Sequence, residues 1–130
     1  MARKMVSKIL NTGLAYNNST VTSNWIQTDA LDIMGFQVIF SSAPTTAALT
    51  IDVSYDPVDD SNAYNASGTP ASPTNVDTAT TTSVSANGKT IVSYDMTSQH
   101  RSATWMRARI AVTTGTGTAT VTFCGKSSGG

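Results

Sequence analysis

Apolar and polar residues alternate along most of this chain with a period of two, the repeat of a strand that buries one face. The clearest case runs from Thr104 to Cys124. Met106, Ala108, Ile110 and Val112 fall on one side, with Trp105, Arg107, Arg109 and Ala111 on the other. After Gly115-Thr116-Gly117, Ala119, Val121 and Phe123 alternate with Thr118, Thr120 and Thr122. This pattern predicts two antiparallel strands joined as a half-buried hairpin. Ile33 to Phe40 is the most apolar strand, with Met34, Phe36, Val38 and Phe40 on one face and Ile33, Gly35, Gln37 and Ile39 on the other. Apolar residues on both faces predict a central strand or one at a subunit contact.

Leu49 to Tyr55 alternates as cleanly, placing Leu49, Ile51, Val53 and Tyr55 inward and Thr50, Asp52 and Ser54 outward. A strand from Thr20 to Thr28 has Val21 and Trp25 on one side and Ile26 on the other. Two more, Thr81 to Ser85 and Thr90 to Tyr94, flank Asn87-Gly88, and Asn-Gly between strand-like runs is a strong hairpin signal. The alternation fails in two places. Residues 1 to about 18 read as an irregular arm, because Val6, Ile9 and Leu10 suit one helical turn that Asn11-Thr12-Gly13 stops. From Asp56 to about Thr80 there is no periodicity, and a loop of about 25 residues is usually functional, disordered or packed on a neighbour.

The expected layout is an arm (1–18), a β-sandwich domain (19–126) whose long loop spans about 56–80, and a flexible tail (127–130). Seven or eight short strands predict an all-β fold, an antiparallel two-sheet sandwich of jelly-roll type carrying an irregular N-terminal arm. No repeat at a fixed period is evident, which argues against a propeller or solenoid.

Composition strengthens this reading. At 130 residues the chain makes one domain, and 39% hydrophobic residues suffice for a core without disulfides or metal. All 8 acidic residues are aspartate, which prefers turns and caps, while glutamate, a helix former, is absent. Net charge is zero, against a dedicated nucleic-acid binder, although Arg3, Lys4 and Lys8 make the N-terminal segment locally basic. Cys124 is the single cysteine and reads as a small buried or edge hydrophobe. No stretch approaches the roughly 20 apolar residues of a membrane span. The start MARKMVSKIL lacks the apolar segment of a secretory signal, so the Asn18-Ser19-Thr20 and Asn65-Ala66-Ser67 sequons carry no weight.

Candidate chemistry is sparse. His100, the one histidine, lies in a Ser-Gln-His-Arg-Ser segment five residues after Asp95, but no strained Gly-x-Ser-x-Gly elbow supports a triad, and an exposed loop histidine is the plainer reading. Asp56, Asp59 and Asp60 with Ser61 and Asn62 offer oxygen ligands for Ca²⁺, yet lack the spacing and terminal glutamate of an EF-hand; a solvated turn explains them as well. Arg107 and Arg109 share a strand face and suit either carboxylates of an adjacent subunit or a charged surface that discourages aggregation. Trp25 and Trp105 are core residues by default, with a sugar-stacking platform as the alternative. No enzyme and no cofactor are expected.

The segment Trp105-Met106-Arg107-Ala108-Arg109-Ile110-Ala111-Val112-Thr113-Thr114-Gly115-Thr116-Gly117-Thr118-Ala119-Thr120-Val121-Thr122-Phe123 resembles the closing hairpin of small β-sandwich virion proteins of tailed bacteriophages. Asn24-Trp25-Ile26 and Leu49 to Asp56 before a long loop are similar in kind, so the likeness spans about residues 20 to 124. It rests on strand-and-turn patterns. It implies a non-enzymatic structural protein of the virion, assembled in the host cytoplasm. A capsid decoration (cement) protein is the first choice; a neck, tail or baseplate component or a carbohydrate-binding host-attachment module is the alternative. The implied partners are the major capsid protein or other virion subunits and further copies of the chain, with no nucleic acid or membrane. Arg3, Lys4, Lys8, Arg107 and Arg109 are the candidate interface residues, with the arm burying itself on a neighbour.

Overall fold

The computed structural model describes residues 5–28, 31, 33–57, 68–70, 77–83, 90–95 and 103–126; for Met5, Ile33, 77–83 and 91–95 it describes the backbone alone. Every regular element among them is a strand: β1 (Met5–Asn17), β2 (Thr20–Thr22), β3 (Ile26–Gln27), β4 (Ile33–Phe40), β5 (Thr46–Ser54), β6 (Asp77–Ser83), β7 (Thr90–Asp95), β8 (Trp105–Thr114) and β9 (Thr116–Lys126). They form two antiparallel sheets. One has the order β1-β9-β4-β7, the other β2-β8-β5-β6, with β3 continuing the β2 edge along β8.

The pairings are nested. β1 lies on β9, β2 and β3 on β8, β4 on β7, and β5 on β6, so the chain is a ribbon doubled back between β5 and β6. Contacts of β9 with β4 and of β8 with β5 then roll this ribbon into two facing sheets. That is the jelly roll, an antiparallel sandwich built from two Greek keys.

The core forms where the inward rows meet. Phe36 opposes Phe123, Val38 opposes Val121 and Phe40 opposes Ala119 in the first sheet. In the second, Leu49 opposes Ile110, Ile51 opposes Ala108 and Val53 opposes Met106. All are buried, and Phe36 meets Phe123 edge-on with centroids 5.4 Å apart. Pairing large with small residues, as in Phe40 with Ala119, lets the layers interdigitate at crystal-like density.

Two expected hairpins are absent. β8 and β9 do not pair; they belong to opposite sheets, and Gly115 alone connects them. A single residue is shorter than the two-residue loops that reverse a chain within a sheet, so the strand crosses to the other layer. Gly115 makes the crossing at φ 149°, where a Cβ would lie 3.1 Å from Pro44. Likewise β6 and β7 fall in opposite sheets, so Asn87-Gly88, which lies outside the described residues, joins no hairpin pair.

The segment expected as an irregular arm is the longest strand. β1 pairs with β9 from Met5↔Lys126 to Asn17↔Thr116, and Leu10 and Tyr16 enter the core. Register shifts between Ile9 and Asn11 and between Asn11 and Leu14, with Gly13 at φ 74°, break the alternation and conceal the strand from a period-two reading. The expected strand Thr20–Thr28 is interrupted at Ser23–Trp25, where Asn24 donates its backbone N–H to Asn11 Oδ1 (2.7 Å) and its side-chain amide to the Leu10 carbonyl (3.3 Å). The expected strand at Thr81–Ser85 begins earlier, at Asp77. Tyr55, expected inward, lies beyond the end of β5 and is exposed. Cys124, expected as a buried or edge hydrophobe, is exposed because it points away from the core beside inward Phe123.

Candidate functional site

The outward face of the second sheet carries the most concentrated polar chemistry among the described residues. In β8, Trp105, Arg107 and Arg109 point away from the inward row Met106, Ala108 and Ile110. In β5, Thr50, Asp52 and Ser54 do the same. Register places Asp52 directly opposite Arg107 and Thr50 opposite Arg109. A diagonal neighbour on one sheet face lies within reach of a long side chain, so both arginines can address one carboxylate.

They do so through Nε. Arg107 Nε donates to Asp52 Oδ2 at 3.0 Å, and Arg109 Nε approaches Oδ1 and Oδ2 at 3.2 Å each. The Asp52 side chain is 1% exposed, against 21% for Arg107 and 37% for Arg109. Asp52 faces outward, as expected, yet is buried there, and the two guanidiniums supply the charge and donors that its burial requires. Two cations and one anion leave the cluster at net +1.

Trp25 forms the floor. It stands at the break between β2 and β3, and the Arg107 guanidinium lies 4.6 Å from its ring centroid, a cation–π contact. Trp25 and Trp105 are both buried, as expected, yet neither joins the inter-sheet core. Trp105 Nε1 donates to the Pro57 carbonyl (3.4 Å), while Thr104 Oγ1 donates to the carbonyls of Ser54 and Asp56. The start of the long connection is thereby anchored to β8.

Of the candidates named from sequence, the structure brings Arg107 and Arg109 together and leaves the other described ones apart. Arg107 and Arg109 meet a carboxylate of their own chain, Asp52, a partner that period-two reading placed outward but could not put in register with them. Lys8 is exposed on β1, remote from this cluster in the strand order. Arg3, Lys4, Asp59, Asp60 and His100 lie outside the described residues, as does the side chain of Asp95. Asp56 is half-buried, and among the described residues no three His, Cys, Asp or Glu side chains cluster closely enough to hold a metal ion.

The opposite end of the domain is bonded almost wholly to itself. Asn18, at φ 48°, donates its N–H to the Gly115 carbonyl (2.8 Å) and accepts the Gly115 N–H at Oδ1 (2.9 Å). Tyr16 donates its hydroxyl to the Ser42 carbonyl (3.0 Å), and Ser42 Oγ donates to the Thr116 carbonyl (3.0 Å). These bonds hold the places where both arms of the ribbon change sheets.

Fold and surface thus define a jelly-roll domain in which Asp52, Arg107 and Arg109 brace one sheet from its outward face. No protein-family model matches the sequence, and no curated protein matches it. Solved structures share the fold. The crystal structure of the SPBc2 prophage-derived protein YomS is similar at a TM-score of 0.50 and 15% identity, over 98% of this chain and 96% of that one. A chain in the structure of infectious bursal disease virus, Gx strain, is similar at a TM-score of 0.54 and 12% identity, over 98% of this chain and 33% of the viral one. At such identities the likeness establishes the architecture, which phage-derived and viral proteins share with this chain.

Proposed function

We propose that this protein is a non-enzymatic structural component of a virus particle, and specifically a decoration (cement) protein on the head of a tailed phage. The observation that carries this reading is the extent of the match to the prophage-derived protein, 98% of one chain against 96% of the other. The similarity of fold runs through nearly the whole length of both chains. The described polar groups support it, since Asp52, Arg107, Arg109, Tyr16 and Asn18 serve the scaffold. In this role the domain binds the major capsid protein and further copies of itself through its outward sheet faces. Residues 5–17 are a strand of the fold, so this span is not a loose arm that buries itself on a neighbour.

A carbohydrate-binding role is disfavoured by Trp25. The residue that would stack on a sugar is 4% exposed and covered by Arg107. The test is sedimentation of purified protein with empty heads, together with antibody labelling of intact particles. Saturable co-sedimentation and labelling over the head are expected. Label at the neck or tail would move the protein to that location, and its absence from washed particles would refute a virion role.

A further inference from the structure

We propose that Arg107 and Arg109 form a preorganised receptor for one additional carboxylate, presented by an acidic side chain of a neighbouring protein subunit. Both arginines use Nε for Asp52, and among the described residues their Nη groups have no hydrogen-bond partner. An arginine held at Nε keeps its Nη1/Nη2 edge for end-on, bidentate binding of a second oxyanion. Arg109 is 37% exposed and Arg107 21%, so that edge is reachable while the Asp52 side is closed.

Three features restrict the ligand. Each guanidinium is already fixed, Arg107 by the Trp25 ring at 4.6 Å and Arg109 by both oxygens of Asp52, so little side-chain freedom is lost on binding. The cluster carries net +1, which a single carboxylate neutralises. A polyanion such as nucleic acid calls for a basic field, and this chain has 8 Lys and Arg against 8 Asp. The carboxylate class follows from the cluster alone; placing its donor on a virion subunit rests on the function proposed above.

The experiment therefore uses the isolated protein, so its failure and that of the virion reading are distinguishable. Arginine side-chain ¹⁵N–¹H signals are followed during titration with sodium acetate, with sodium chloride at equal ionic strength as control and inorganic phosphate as a second arm. Acetate should shift the Arg107 and Arg109 signals saturably while chloride does not. Arg109→Gln should weaken acetate binding roughly tenfold or more, the worth of a charge-assisted hydrogen bond. It should also leave the Arg107 Nε signal at its Asp52-bonded position, which shows that the fold persists. Acetate shifts that are linear and match chloride would overturn the receptor, and phosphate binding more tightly than acetate would overturn the choice of carboxylate.

Discussion

Asp52 shows how strongly a single residue's role depends on its cross-strand neighbours. Its place in an alternating strand marks it as solvent-facing, yet it is buried beneath two arginines. Breaking a fully buried ion pair costs about 3–5 kcal/mol, because the remaining charge stays desolvated. Here the stranded charges would be arginines that retain partial access to water, so the cost is smaller. Asp52→Asn, which keeps the shape and removes the charge, should lower stability by about 2 kcal/mol. Urea unfolding would show this as a lower midpoint at unchanged slope. Arg109→Gln should cost less than about 1 kcal/mol, because Arg107 still pairs the carboxylate and Arg109 is the more exposed of the two.

At the scale of the element, β1 and the β8–β9 connection mark the boundary of what the sequence made legible. Inward rows of β4, β5, β8 and β9 could be read residue by residue, because alternation follows from strand geometry alone. Their partners could not. Met106 to Val112 and Ala119 to Phe123 alternate in the same way whether the two strands lie side by side or face each other across a core. Only Gly115, a connection too short for a hairpin, separates the two cases. In β1 the register shifts on either side of Asn11 change the face presented to the core, leaving Val6, Leu10 and Leu14 at helix-like spacing. The arginine cluster was half legible: Arg107 and Arg109 stood out as a pair, whereas Asp52 required the β5–β8 register. Because β1 is integral, removing residues 1–17 should abolish cooperative folding. The deletion takes Leu10 and Tyr16 out of the core and uncovers the length of β9; burial of two such side chains contributes about 3–6 kcal/mol, comparable to the total stability of many domains. Near-UV circular dichroism of the truncated chain should show no fixed aromatic environment, and a sigmoidal melt with native-like signal would disprove the point.

Over the whole molecule, the nested ribbon sets the kinetics. Most pairings join residues far apart in sequence, up to Met5 with Lys126, so loop-closure entropy is lost before the contacts that offset it exist. Refolding should therefore fall in the millisecond-to-second range of sandwich proteins rather than the microseconds of helical bundles. Stopped-flow tryptophan fluorescence reads this directly, since Trp25 and Trp105 pass from solvent to buried positions. The position of β9 has a consequence for the chain as it is made. Made after the other eight described strands, it lies between β1 and β4, and Phe123 and Val121 meet the β4 row inside the first sheet. On the ribosome, β1 and β4 therefore wait as two unclosed borders until β9 clears the exit tunnel. The domain assembles as a unit after translation of β9, and a nascent chain arrested before Thr116 would hold both borders open to chaperones.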